Sequence, residues 1–238
     1  MTRTTITNLN LPEVSEIGEY AFSECTSLSS VQLPKCERIE SYAFYSCKAL
    51  EAIDLPKVTV LGERVFNRAS NLKIVNAPKL TDIAKCCFYE CPLLETLYAP
   101  LLNIIQTSAL SGCKNLTHVN FQTASSLGKE CFFGCTGLLE AIFPEVSTIS
   151  ISAFYNCTSL QYAVLYDVKT IEKTAFYGCK SLQYIDFSGC TAVPTLVNTN
   201  AFTNVPTTCQ FRVPASLLDA WKAAENWSTY AAQIVAAE

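Results

Sequence analysis

The apolar positions of this chain recur every 22 residues. Proline stands at Pro12, Pro34, Pro56, Pro78, Pro100 and Pro144, with Gln122 and Tyr166 on the two missed beats. Ten residues after each beat comes a ring, at Phe22, Phe44, Phe66, Phe88, Phe132, Phe154 and Phe176, replaced once by Leu110. Three residues further stands cysteine, at Cys25, Cys47, Cys91, Cys113, Cys135, Cys157 and Cys179, replaced once by Ala69. Three further again is leucine without exception, from Leu28 and Leu50 to Leu160 and Leu182. An aliphatic column runs through Ile17, Ile39, Leu61, Ile83, Ile105, Leu127, Ile149 and Ile171. A fixed period carried by several coherent columns marks a repeat architecture.

The unit reads P-x4-I-x3-A-F-x2-C-x2-L-x2-V-x-L-P. Its last part, Leu28-x-x-Val31-x-Leu33, alternates at the end and predicts a short strand. Pro34 then stops that strand, because proline lacks the ladder donor. The same reading predicts strands near residues 30–33, 52–55, 74–77, 96–99, 118–121, 140–143, 162–165 and 184–187. Gly18 to Glu24 has room for one turn of helix that carries Ala21 and Phe22 inward. The residue before each phenylalanine is small (Ala43, Val65, Cys87, Ala153), so space beside the ring is limited. A unit this short cannot bury its own apolar face, and stacked neighbours bury a continuous core. The expectation is an α/β repeat solenoid with short parallel strands and short helical turns.

The two ends differ from the middle. At the front, Ile6-x-x-Leu9-x-Leu11-Pro12 matches only the strand half of a unit. At the back a ninth, degraded unit runs through Ala201, Phe202, Val205, Thr208, Phe211, Val213 and Pro214, four residues longer than the rest, with the insertion placed in 191–200. After Pro214, which suits a first helical turn, comes ASLLDAWKAAENWSTYAAQI, with Leu217, Leu218, Trp221 and Ala224 on one helical face. The solenoid is expected over 1–214 and a helical cap over 215–238, the two forming one domain. Trp221 and Trp227 read as cap packing.

These motifs resemble the BspA-type leucine-rich repeats, whose units carry "LP…I…AF..C..L..I.LP". The resemblance covers Ile6 to Pro214. It implies a curved solenoid of the kind found in surface or secreted proteins of host-associated bacteria and some protists, binding proteins or adhering to host or matrix components. It brings no catalytic residues with it. The start of the chain shows no apolar segment of a signal peptide, and no anchor is evident.

Composition sharpens this picture. Half of the 238 residues are apolar and 16% are charged, which excludes a disordered chain. Net charge is −4 and no basic run occurs, so a surface that tracks nucleic-acid phosphates is not expected. Two long stretches, Val146 to Tyr166 and Phe187 to Phe211, carry no charge, but both are rich in Ser, Thr, Asn and Gln, too polar to sit in a bilayer. No membrane insertion is expected.

Thirteen cysteines raise the question of disulfides or metal. The seven periodic ones form an in-register column whose parallel side chains do not meet the Cβ spacing of a disulfide. Small buried thiols filling a tight corner are expected. Cys87-x3-Cys91 and Cys131-x3-Cys135 have the look of zinc half-sites, but they lie two repeats apart and half their members belong to the packed column. No metal, cofactor or catalytic residue is assigned. The single histidine, His118, flanks a strand and points outward, and no nucleophile elbow, phosphate loop or metalloprotease motif occurs.

What is left for function is the surface. Side chains on either side of the inward Val31-type position point out, so repeat register gathers Tyr162, Tyr184, Ile142, Val164 and Tyr166 on the strand face of the later repeats, with Tyr98 and His118 at the margin. A second ring column, Tyr45, Tyr89, Phe133, Tyr155 and Tyr177, follows the core phenylalanine and reads as repeat-to-repeat stacking. Exposed aromatic patches mark interaction sites. The expectation is a non-enzymatic recognition module binding a protein or glycan through those seven strand-face residues. The competing reading is a structural spacer, or a fragment of a longer repeat adhesin, with no ligand of its own.

Overall fold

In the computed structural model, which describes residues 5–237 and every side chain among them but that of Asn120, the chain winds into a solenoid of about ten turns. Each coil has three sides. The first is a three-residue strand that ends just before the proline. These strands form two parallel sheets: Asn8–Asn10, Ser30–Gln32, Ala52–Asp54, Ile74–Asn76 and Thr96–Tyr98 in one, and His118–Asn120, Glu140–Ile142, Tyr162–Val164, Tyr184–Asp186, Gln210–Val213 and Ile234–Ala236 in the other. Pairing is in strict repeat register, with Glu140 opposite Tyr162 and Tyr162 opposite Tyr184.

The second side is a two-residue strand ending on the aliphatic column, such as Arg38–Ile39 or Thr148–Ile149. These pair in parallel too, as a six-stranded and a three-stranded sheet. The second residue of each pair is buried and the first, polar in most pairs but Val60 and Ile104 in two, is more exposed, a period of two too short to stand out in the sequence.

The third side replaces the expected turn of helix with overlapping tight turns. Within it Ala21 N–H donates to Gly18 O at 3.2 Å and Cys25 N–H to Phe22 O at 3.2 Å. Two residues per coil adopt left-handed backbone, as at Tyr20 (φ 55°) and Glu24 (φ 61°), and this bars a continuing right-handed helix. The remaining donors turn to the next coil: Phe22 N–H donates to Ala43 O at 2.8 Å and Phe154 N–H to Ala175 O at 2.8 Å. Backbone pairing between coils therefore runs along all three sides, as a core with no access to water requires.

The core is the set of columns read from the sequence. Phe132, Phe154 and Phe176 are fully buried and stack face to face at 5.3 and 5.1 Å. The degraded ninth unit continues the stack with Phe202, 5.7 Å from Phe176. Its insertion lies where expected: Ile171 pairs with Leu196, 25 residues on, and Tyr184 with Gln210, 26 residues on. All thirteen cysteines are free and buried. From Cys47 on, the periodic thiols donate to the carbonyl oxygen of the ring-column residue one coil back, Cys91 to Phe66 at 3.0 Å, Cys179 to Phe154 at 3.2 Å and Cys135 to Leu110 at 3.2 Å. Burial pushes these thiols up, Cys135 to about 12, so they stay protonated.

The cap is shorter in helix than its apolar periodicity suggests. A turn at Ala215–Leu217 leads into a helix at Leu218–Ala223, and there regular helix stops. Ala224 is extended and Asn226 is left-handed (φ 62°), its side-chain amide donating to Leu196 O at 2.8 Å. After a turn at Trp227–Tyr230, Ile234–Ala236 joins the large sheet as its last strand. Trp221 and Trp227 are both fully buried, with ring centroids 5.4 Å apart, and Trp227 Nε1 donates to Pro194 O at 2.8 Å. They seal the open end of the core.

Candidate functional site

Five of the seven strand-face residues lie in or directly beside three neighbouring strands. In the column nearer the start of each strand, Glu140, Tyr162, Tyr184 and Gln210 are successive partners. In the column two residues on, Ile142, Val164, Asp186 and Arg212 are. Tyr166 follows the strand of Val164. The inward position between the columns is Ala141, Ala163 and Ile185, all fully buried, and this pins the other two columns to the outer face by the pleat of the strand.

Tyr162 and Tyr184 are half-buried and stack with centroids 5.4 Å apart and planes within 8° of parallel. The Tyr162 hydroxyl donates to the Glu140 carboxylate. Arg212 lays its guanidinium carbon 3.9 Å from the centre of the Tyr184 ring, a cation–π contact that also holds the ring in place. The result is a platform of carboxylate, two rings and a guanidinium across four strands. Sequence reasoning missed Arg212, because the inserted residues shift it out of the 22-residue count. A register corrected for the insertion would have placed it opposite Asp186.

Tyr166 stands at the far edge of the platform, 39% exposed. Its hydroxyl donates to Asp186 at 3.4 Å, and partial burial with the Asp186 carboxylate nearby raises its pKa. Gly189 leaves room for it: a Cβ there would meet the Tyr166 Cβ at 2.5 Å. Beside the platform a groove of about 370 Å³ runs between Asp186, Ser188, Gln210, Arg212 and Ala236. It is polar, and the last strand of the sheet forms its far wall.

The two marginal residues sit differently. His118 is exposed on the first strand of this sheet, opposite Glu140, with Nδ1 2.9 Å from Thr117 Oγ1. Tyr98, 55% exposed, belongs to the other sheet, which ends on its strand, so no ladder joins it to the platform. Ile142 and Val164 are half-buried and floor the space between. No group of three or more His, Cys, Asp or Glu gathers as a metal site among the described residues, and no helix among them is long and apolar enough to cross a membrane.

Two overlapping matches to the model of the BspA type leucine rich repeat region, over residues 2–117 and 103–220, span nearly the whole chain. The chain belongs to the BspA-type leucine-rich repeat family. Curated protein sequences include no match to it. Among solved structures, the leucine-rich repeat protein TpLRR of T. pallidum is 23% identical, with 63% of this chain and 74% of that one covered and a TM-score of 0.57. The pneumococcal vaccine antigen PcpA is 16% identical, with 97% and 66% covered and a TM-score of 0.56. At such identities the likeness is one of fold. Leucine-rich repeat proteins are generally non-enzymatic and commonly bind proteins.

Proposed function

We propose that this BspA-type repeat protein is a non-enzymatic recognition module that binds a partner, a protein or a glycan, through the strand face of its later repeats. The observation that carries this reading is the Tyr162–Tyr184–Arg212 stack. It presents ring edges and a guanidinium, already ordered, on an outer face beside an open polar groove. Tyrosine and arginine are the residues that dominate binding energy at interfaces, and preordering lowers the entropic cost of docking. A protein partner fits best, because the carboxylates of Glu140 and Asp186 flank the rings and can orient cationic or amide groups along their edges.

The test compares wild type with the Tyr162→Ala/Tyr184→Ala double variant on protein and glycan arrays. Ligands that bind wild type and are lost by a variant that still melts cooperatively support the reading. Ligands retained equally by both sink it. The second reading is the structural spacer, favoured by the strand Asn8–Asn10, which pairs on one side only among the described residues and leaves an edge open to another strand. Arrays that yield no ligand at all favour the spacer.

A further inference from the structure

On the turn side of the solenoid, away from the strand face, the second ring column is discontinuous. Its positions read Tyr45, Asn67, Tyr89, Ser111, Phe133, Tyr155 and Tyr177. Where rings are consecutive they form a tight stack: Phe133 to Tyr155 is 4.8 Å and Tyr155 to Tyr177 is 4.7 Å, both within 4° of parallel. At Ser111 one rung is missing. Tyr89 and Phe133 therefore stand two steps apart, roughly 9.6 Å at the strand spacing, which is the thickness of one further ring stacked on both.

The space is open. Tyr89 and Phe133 line one groove of about 550 Å³ with mostly apolar walls. Its floor is closed by backbone, with Gly112 N–H donating to Phe133 O at 2.8 Å and Ser111 Oγ to the same oxygen at 3.3 Å. Gly112 is left-handed (φ 80°), so the chain turns away beneath the gap without a side chain of its own. The rim is cationic. Arg68 is paired with Glu90 at 3.0 Å, whereas Lys48 and Lys114 are exposed and make no ion pair among the described residues.

We propose that this gap is a binding slot for an aromatic ring carrying an anionic group. The ring would complete the stack between Tyr89 and Phe133, and its charge would lie against Lys114, which follows Ser111 on the same coil. Stacking on two faces supplies contact area that a neutral ring shares, and the uncompensated ammonium group of Lys114 selects the charged form. The slot is independent of the strand-face platform and shares no residue with it.

The experiment is calorimetric titration with phenyl phosphate, with phenol and inorganic phosphate as controls. Phenyl phosphate is expected to bind saturably, at least tenfold more tightly than either control. Ser111→Tyr restores the missing rung from within, and is expected to weaken phenyl phosphate at least tenfold while the protein still melts cooperatively. Lys114→Glu reverses the charge beside the gap and is expected to produce a similar loss, which keeps the test decisive if the tyrosine variant misfolds. Tyr162→Ala/Tyr184→Ala should leave this binding unchanged. A capped pentapeptide with central phosphotyrosine that binds more tightly than phenyl phosphate assigns the ring to a peptide partner, and equal affinity assigns it to a free aryl acid. No saturable binding, equal binding by folded Ser111→Tyr, or either control matching phenyl phosphate would overturn the proposal.

Discussion

The thiol of Cys157 donates to the carbonyl oxygen of Phe132, one coil back, at 3.2 Å. The same oxygen also accepts the backbone N–H of Cys135 at 3.2 Å, so both of its lone pairs are used in a site with no water. Cysteine suits this column because it is small, apolar and still a weak donor. Replacing Cys157 by Ala removes the donor and leaves a small void. The expected cost is about 1–3 kcal/mol, read from chemical denaturation. A cost near zero would mean that the thiol only fills space.

Alkaline solution should destabilise the protein through these same thiols. Burial raises Cys47, Cys87 and Cys135 to about 12, and raises Cys113 and Cys157 well above the ordinary thiol value of 9.0. In the unfolded chain they ionise near the ordinary value, so above it the unfolded state binds fewer protons than the folded one. Stability is then complete below about pH 8.5 and falls as pH rises toward 12. The melting temperature should drop steadily over that window, and iodoacetamide at pH 8 should label the column only after denaturant is added. Rapid labelling of Cys113 or Cys157 in the native protein would contradict this.

Phe154 is fully buried between Phe132 at 5.3 Å and Phe176 at 5.1 Å, with Phe143 tilted against it at 5.9 Å. Truncation to Ala leaves a cavity that the rigid coils on either side cannot close. We expect a loss of about 3–5 kcal/mol in urea unfolding. A loss below about 1 kcal/mol would show that the ring column is not the core.

Arg212 distinguishes a binding platform from local packing. Arg212→Ala removes the guanidinium from the face of Tyr184, and should cost less than about 1 kcal/mol of stability, as befits a partly exposed cation–π contact. On the strand-face reading, partner affinity should fall about tenfold, since the platform loses one of its four members. Affinity unchanged by Arg212→Ala, measured by surface plasmon resonance on any array ligand, would remove Arg212 from the site.

Gly189 offers a subtler probe. A methyl group there meets the Tyr166 Cβ at 2.5 Å, so Gly189→Ala must push Tyr166 off its place beside Asp186. Weaker partner binding together with a lower melting temperature is the expected outcome, because Tyr166 Cβ is fixed to its backbone and the coil must shift to admit the methyl group. Unaltered binding would place Tyr166 outside the contact surface.

The repeat columns were legible because each coil meets the same two neighbours, so the same packing demand is written eight times. That is why the leucine, phenylalanine and cysteine columns, the strand positions and the inserted residues of the ninth unit could all be read from spacing alone. The turn side was misread as a turn of helix. Its left-handed residues are ordinary side chains such as Tyr20, Arg64 and Ser152, and no local signal marks a conformation that only hydrogen bonds to the next coil sustain. The cap was over-read for a similar reason: the apolar spacing of Trp221 and Ala224 suits a helix, but the Asn226 amide finds its partner on Leu196, far away in sequence.

The sequence by itself determined the period, the core and which residues face outward, because burial in a stacked array depends on coil position and little else. Only the tertiary structure decided what the outward residues do to one another. It set Arg212 on Tyr184, separated Tyr98 from the platform by ending a sheet, and turned the absence of a ring at Ser111 into a gap between two ring faces. Each of these depends on distances between coils and on where ladders stop, which are properties of the wound chain that no single 22-residue unit contains.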